Sequence, residues 1–312
     1  MVSFSERVKN ELLKVNDRYA DSKYYELTAL LRICGAVSPL NGVKLTIHTE
    51  HEGIARRIAA LCEELYEAGA EVRVKEGKRL QKRALYTLII QGESALNILK
   101  NTKILSMDDP IQLLPFDGAP MKRKSCRAAF LRGCYLGCGS LSDPNKAYHL
   151  EFVPQNDDLA QSICDAANTF DLNARLTLRK GLSVVYIKDA ESIAVFLNVV
   201  GATEALFAFE DVRVVKDVRN NVNRVVNCEV ANIKKSTKAA LRQLEHIQTI
   251  QKAGRFDFLP QHLRDLAEAR LNHPDATLSD LAQLLDVGRS GVNHRFKKIE
   301  DIAQELQFRG EG

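Results

Sequence analysis

The chain has 312 residues, of which 45% are hydrophobic and 27% charged. At about 150 residues per domain it holds two or three domains, and such ordinary globular usage excludes a disordered, collagen-like or fibrous protein. Lys and Arg number 44 against 40 Asp and Glu, a net charge of +4 that does not announce a nucleic-acid binder by itself, so the distribution of charge carries more weight. The opening Met1-Val2-Ser3-Phe4-Ser5-Glu6-Arg7 is charged at once and lacks the apolar core of a signal peptide. The longest uncharged apolar stretch, Ser192 to Thr203, falls short of the ~20 residues that cross a bilayer. Seven cysteines, an odd number with no CxxC pair, fit free thiols in a reducing compartment. These features predict a soluble cytoplasmic protein with no membrane partner.

The first half of the chain carries a weak repeat. Leu27-Thr28-Ala29-Leu30-Leu31-Arg32-Ile33-Cys34-Gly35 and Leu131-Arg132-Gly133-Cys134-Tyr135-Leu136-Gly137-Cys138-Gly139 are apolar helices rich in small residues, 104 positions apart, each ending at a glycine. An alternating strand follows each, Val43–His48 and Ala147–Phe152. Next come amphipathic helices with Ile54, Ile58, Leu61, Cys62 and Leu65 on one apolar face and Leu159, Ile163, Ala166 and Ala167 on the other. Val72 and Val74, then Leu176 and Leu178, start two hairpins, which return through Leu85–Ile90 and Ser183–Ile187. The first hairpin has a basic tip over Glu76–Arg83, and the second turns at Arg179-Lys180-Gly181. Helices at Glu93–Lys100 and Glu191–Val199 close the copies. Each copy reads helix–strand–helix–strand–strand–helix, and small residues let the two leading helices approach closely on a pseudo-symmetry axis. Residues 105–124, with Pro110, Pro115, Gly118 and Pro120, read as the linker between copies.

From Val212 the pattern changes. Val214, Val215, Val218, Val222, Val225 and Val226, then Leu241, Leu244 and Ile247, recur at helical spacing. Between them lies a face of Arg213, Lys216, Arg219, Asn220, Asn221, Asn223, Arg224, Asn227, Lys234, Lys235, Lys238 and Arg242. Residues 213–243 carry +6, and asparagine is a poor helix former that is favoured when its amide makes hydrogen bonds. A nucleic-acid contact and a plain solvated connector both fit this helix.

The sharpest local motif lies near the carboxyl end. Pro260 starts a helix with Leu263, Leu266, Ala267 and Leu271 on one face, and His273-Pro274 ends it. Thr277-Leu278-Ser279-Asp280 is a capping box, and a short helix runs on to Asp286 with Leu278, Leu281, Ala282 and Leu285 inside. Val287-Gly288-Arg289 makes a tight turn, Ser290 is predicted to cap the third helix, and Val292, Phe296, Ile299 and Ala303 face inward. Short helix, turn and second helix make a helix-turn-helix unit. Residues 255–312 are slightly acidic, yet Gly288–Lys298 holds four Arg and Lys and no acid, so positive charge is focused on one helix. That predicts a recognition helix with Arg289, Ser290, Gly291, Asn293, His294, Arg295, Lys297 and Lys298 outward. Asn293 suits an adenine edge, Arg289 and Arg295 suit guanine, and Lys297 and Lys298 suit phosphate. Thr277, at the head of the preceding helix, is grouped with them. A three-helix interaction module that never touches DNA is the bland alternative.

Phe130–Leu141 resembles the signature of the LAGLIDADG homing endonucleases. Those nucleases end each signature helix with an aspartate before the glycine, and the two carboxylates hold divalent metals. The matching positions here are Cys34 and Cys138, soft ligands poorly suited to Mg²⁺. No acidic residue is expected inside either signature helix, so no catalytic residue, metal or cofactor is expected and Mg²⁺-dependent cleavage is not. Zinc held by Cys34 and Cys138 with His48 or His149 is rarer than buried cysteine acting as a small apolar residue.

Taken together, Ala29–Gly35, Phe130–Ser142, Asn220–Asn232, Ala239–Leu244 and Ser290–His294 resemble the WhiA family of Gram-positive bacteria over nearly the whole chain. The fold class expected is α+β: a pseudo-symmetric, duplicated LAGLIDADG-like domain over 1–211 (repeats at about 20–104 and 124–210), a basic linker helix over 212–254, and an all-α helix-turn-helix domain over 255–312. The resemblance implies a non-catalytic, sequence-specific DNA-binding regulator. It ties that regulator to cell division and chromosome segregation, and to sporulation septation in spore formers. Double-stranded DNA is the expected partner, at the nucleoid, with a sigma factor or other transcription or division proteins as further partners. Expected phosphate contacts are Arg79, Lys82, Arg83, Lys122, Arg123, Lys124, Arg219, Arg224, Lys234 and Lys235, with the basic stretches Arg73–Arg83 and Lys122–Arg132 lining the DNA-facing side. The alternatives are a protein-interaction scaffold with vestigial DNA affinity and, last, an active nuclease.

Overall fold

The computed structural model describes residues 2–38, 43–75, 84–106, 112–118 and 121–310. It divides into two compact units, 1–216 and 217–312.

The first unit opens with a helix not foreseen above, α1 (Phe4–Leu12), capped by the Ser3 hydroxyl and burying Phe4, Val8 and Leu12 at i, i+4, i+8. The two copies follow. One runs α2 (Ala20–Cys34), β1 (Gly35–Ser38), β2 (Lys44–Thr49), α3 (Glu52–Tyr66), β3 (Glu71–Lys75), β4 (Leu85–Gln91) and α4 (Gly92–Asn101). The other runs α5 (Lys124–Cys138), β5 (Gly139–Leu141), β6 (Leu150–Phe152), α6 (Asp157–Asn168), β7 (Arg175–Arg179), β8 (Leu182–Ile187) and α7 (Ala190–Val200). Both sheets are antiparallel with one strand order, β1-β2-β4-β3 and β5-β6-β8-β7. Equivalent central registers, Ile47↔Leu88 and Phe152↔Val185, bury matching apolar residues. Lys180 (φ 53°) and Gly181 (φ 80°) form the two-residue hairpin of the second copy, the left-handed pair such a turn requires.

Helices α2 and α5 pack against each other on the axis. Their crossing depends on absent side chains: a Cβ on Gly133 would stand 2.6 Å from the Glu26 carbonyl oxygen and 2.9 Å from the Ala29 Cβ. Backbone cannot yield as a flexible side chain does, so Gly133→Ala is expected to force the helices apart. The expected loss, read by chemical denaturation, is about 1–3 kcal/mol.

Helix α8 (Thr203–Lys252) spans 50 residues. The basic helix therefore starts nine residues before the expected 212. Phe209 sits in the core of the first unit, and Ile247 and Ile250 sit in the core of the second. The second core is completed by α9 (Gln261–Asn272), α10 (Leu278–Leu284) and α11 (Arg289–Gly310) through Leu263, Leu266, Ala267, Leu281, Val292, Phe296, Ile299 and Ala303. The helix-turn-helix unit thus needs the last turns of α8, and a boundary at 255 would cut its core. Val214, Val218, Val222, Val225 and Ile233 form an exposed apolar stripe along α8. No helix among the described residues is long and apolar enough to cross a membrane.

Candidate nucleic-acid interface

The helix-turn-helix is held by local hydrogen bonds. At the head of α10, Thr277 Oγ1 accepts from the Asp280 amide at 3.2 Å, while Asp280 Oδ2 accepts from the Thr277 amide at 2.8 Å and from its hydroxyl at 2.8 Å. The donated amide and hydroxyl hold the Asp280 carboxyl below its usual range. The Thr277 hydroxyl is therefore engaged in the cap, although the residue is exposed. Asp286, at φ 48°, turns the chain, and the Val287 amide donates to Ala282 O at 3.0 Å. Helix α11 then begins at Arg289, with Gly288 at the cap position and its carbonyl accepting from Val292 at 3.1 Å. The expected cap at Ser290 is corrected: Ser290 is the second helical residue. Hydroxyl residues lead at caps, but glycine is an accepted cap as well.

Helix α11 buries Val292, Phe296 and Ile299 and turns the opposite face out. Arg289, Ser290, Asn293, His294, Lys297 and Lys298 are exposed; Gly291 and Arg295 are half-buried. One helical face thus gathers the expected residues, with Ser290, His294 and Lys298 on its outer ridge at i, i+4, i+8. Arg295 lies to one side, with Nη1 3.5 Å from the carbonyl of His262 at the head of α9, a contact at the limit of a hydrogen bond. The side chains of Ser290, His294 and Lys298 make no hydrogen bond or ion pair with other described residues.

The signature positions are different in kind. Cys34 and Cys138 are the last residues of α2 and α5 and are partly buried. Burial pushes the Cys34 thiol up to about 11 and the Cys138 thiol up to about 12, against the opposing pull of the Lys9 ammonium. Lys9 comes from α1, donates to Leu136 O at 3.1 Å and sits over the Tyr135 ring. Both thiols are protonated at neutral pH, and a protonated thiol is a poor metal ligand. His48 Nδ1 lies 3.2 Å from Thr87 Oγ1 and His149 Nε2 lies 3.2 Å from Glu151 Oε2. Among the described residues no group of three or more His, Cys, Asp or Glu is placed to hold a metal ion.

One expectation fails in this region. Acids do occur inside a signature helix: α2 starts at Ala20 and contains Asp21 and the fully buried Glu26. Glu26 is not available to a metal. Its Oε1 accepts from Arg57 Nε at 2.7 Å, and its Oε2 accepts from Arg132 Nε at 2.9 Å and Arg57 Nη2 at 3.1 Å. Arg132 also pairs with Asp17 and donates to Val200 O at 3.2 Å. Arg132 therefore points into the protein and leaves the expected basic stretch Lys122–Arg132. In the rest of that stretch Arg127 is half-buried and donates to Met121 O at 2.8 Å, while Lys122, Arg123 and Lys124 are exposed at the amino-terminal end of α5, about 21 Å along the helix from Cys138 and the sheet that follows. Arg123 pairs there with Asp21 at 3.1 Å. These three residues thus stand at the far end of the axis from the sheets. Arg219, Arg224, Lys234 and Lys235 are exposed along α8. Arg79, Lys82 and Arg83 lie outside the described residues.

Two duplicated sheets behind a closely packed helix pair, then a long basic helix and a helix-turn-helix, can be compared as one arrangement. The chain matches the WhiA N-terminal LAGLIDADG-like domain over 20–105, the WhiA LAGLIDADG-like domain over 127–219 and the WhiA C-terminal HTH domain over 222–303. It is 41% identical over 315 residues to the "Probable cell division protein WhiA" of Thermoanaerobacter sp., covering 99% of both chains. The chain belongs to the WhiA family. A WhiA relative of the same description from Clostridium acetobutylicum is 38% identical over 316 residues, covering 99% of this chain and 100% of the relative. The crystal structure of full-length DUF199/WhiA from Thermatoga maritima shares the fold, with a TM-score of 0.59 at 23% identity over 97% of this chain and 98% of that one. WhiA membership thus spans both sheet-bearing copies and the helix-turn-helix.

Sequence reasoning missed Lys9, Glu26 and the inward turn of Arg132. A usable signal for Arg132 was its position inside an otherwise apolar helix, where a charge needs a partner.

Proposed function

We propose that this protein is a non-catalytic, sequence-specific DNA-binding regulator of transcription acting in cell division. A role in chromosome segregation, and in sporulation septation where the host forms spores, belongs to the same reading, as does residence at the nucleoid. The observation that carries it is the outer ridge of α11, where Ser290, His294 and Lys298 are presented without partners on a helix whose opposite face is locked in the core. In this division of labour the helix-turn-helix of α9–α11, braced by the end of α8, reads bases, the basic part of α8 adds phosphate contacts through Arg219, Arg224, Lys234 and Lys235, and the duplicated domain is a scaffold. The protonated Cys34 and Cys138 thiols favour a non-catalytic scaffold over a nuclease.

The test is selection of preferred duplexes by the full chain, followed by titration of a selected and a scrambled duplex. His294→Ala is expected to cost about 1–3 kcal/mol on the selected duplex and to narrow its advantage over the scrambled one. Equal binding of both duplexes by the unsubstituted chain would sink sequence-specific recognition.

A second reading, a protein-interaction scaffold, is favoured by one observation: Val214, Val218, Val222, Val225 and Ile233 line an exposed apolar stripe on α8. A sigma factor or another protein of transcription or division is the proposed class of partner for it.

A further inference from the structure

Beside the recognition helix lies an open groove of about 460 Å³, formed within the second unit by α8 and α11. Arg242, Gln243 and His246 line one wall, and Asn293, Lys297 and Glu300 line the other. Ala239 and Phe296 lie among its polar side chains, and its two permanent cations, Arg242 and Lys297, face a single carboxylate, Glu300. Arg242 and Lys297 are exposed and have no ion-pair partner among the described residues. The groove also continues a track: Lys235, Lys238 and Arg242 follow one another on the same side of α8, one to two helical turns apart.

Geometry selects what such a groove takes. An α-helix with its side chains, about 10–12 Å across, fills a major groove about 12 Å wide. When the Ser290–His294–Lys298 ridge faces the bases, the flanks of α11 face the two sugar–phosphate strands. Asn293 and Lys297 lie on one such flank, and the last exposed turns of α8 stand beside them. We infer that the groove between α8 and α11 is a backbone-binding site for one strand of the duplex, in which Arg242 and Lys297 neutralise consecutive phosphodiesters and Asn293 donates to a phosphate oxygen. Helix α8 is then part of the DNA grip, and the recognition helix does not act alone. The inference rests on the DNA reading above, adds Arg242 to it, and moves Asn293 from the adenine edge expected from the sequence to the backbone.

The experiment uses the full chain and a fluorescent duplex pool of random sequence, titrated at several salt concentrations. Each neutralised phosphate contributes about −0.9 to the slope of log K against log salt. Arg242→Gln and Lys297→Gln are each expected to make the slope about 1 less steep and to weaken random and selected duplexes by the same factor. Arg242→Lys is expected to keep the slope, because a point charge suffices for a phosphate. Both positions are solvent-facing, so thermal unfolding serves as the control and stays unchanged. An unchanged slope for Arg242→Gln in a chain that still binds DNA would overturn the groove assignment alone and give the groove to a protein ligand. No duplex binding by the unsubstituted chain would overturn this inference together with the DNA reading.

Discussion

Glu26→Ala is expected to destabilise the first unit by about 3–5 kcal/mol, the size of effect seen when one partner of a buried ion pair is removed. The carboxylate is fully buried between two guanidinium groups, and the Arg132 side chain is only 4% exposed. Removing the acid leaves Arg132 with Asp17 as its remaining carboxylate, itself 24% exposed, and strands Arg57 beside a cavity. The position magnifies the effect. Glu26 is on α2 and Arg132 on α5, so the pair ties the two copies at their shared axis, beside the Gly133 crossing. Denaturant unfolding of the full chain, followed by circular dichroism, measures the loss in the transition of residues 1–216. Replacing Glu26 and its more deeply buried partner by apolar residues of similar size, Glu26→Leu with Arg132→Met, is expected to recover part of it, because the 4%-exposed cation is gone and only the 14%-exposed Arg57 is left without its carboxylate. A single variant within 1 kcal/mol of the unsubstituted chain would mean that solvent reaches Arg132 and that the network does not hold the axis.

This network also marks where reading the sequence stopped short. The duplication was legible because both leading helices end in glycine and because period-two strands follow at a constant offset; the strand orders of the two sheets repeat accordingly. The inner face of α11 was legible for the same reason: Val292, Phe296, Ile299 and Ala303 keep helical spacing, and all four are buried. Periodicity treats charged residues as solvent-facing, so Glu26 was passed over at the edge of its apolar run and Arg132 was assigned to a basic surface stretch. Their partnership spans 106 residues of chain, and no local pattern encodes a contact of that separation. Lys9 escaped for a related reason. Helix α1 is short and has only three buried apolar residues, and its role at the ends of α2 and α5 comes from tertiary packing. Within the interface, the pattern identified the helix and its outward residues. It could not rank them, because the divide between the outer ridge and the flanks depends on what packs beside α11. The neighbours, α8 on one side and the head of α9 on the other, lie about 50 and 30 residues away in the chain.

The second large effect is expected at Arg270, on the inner side of the helix-turn-helix. Its side chain is 1% exposed, and Nη1 donates to three carbonyl oxygens of the α9–α10 connection: Ala276 at 2.6 Å, Pro274 at 3.1 Å and His273 at 3.3 Å. The guanidinium also lies over the Phe296 ring of α11, 5.5 Å from its centroid. Burial pulls its pKa below the usual arginine value, with Asp275 opposing, but an arginine so placed is still charged near neutrality. One cation therefore gathers the carbonyls of this loop, of which His273 O also accepts from the Ala276 amide at 3.2 Å, and steadies the helix that presents His294. Arg270→Met keeps most of the volume and removes every donor, and is expected to cost the second unit about 3 kcal/mol. Arg270→Lys is expected to recover part of this, since an ammonium reaches one carbonyl but lacks the planar fork. Thermal unfolding measures the loss, and duplex titration at a temperature where the variant is folded separates stability from recognition. Because Arg270 lies beneath α11 and away from its outer ridge, the preference between selected and scrambled duplexes is expected to persist in the folded variant. A preference lost without any fall in stability would place Arg270 at the DNA surface and contradict its burial.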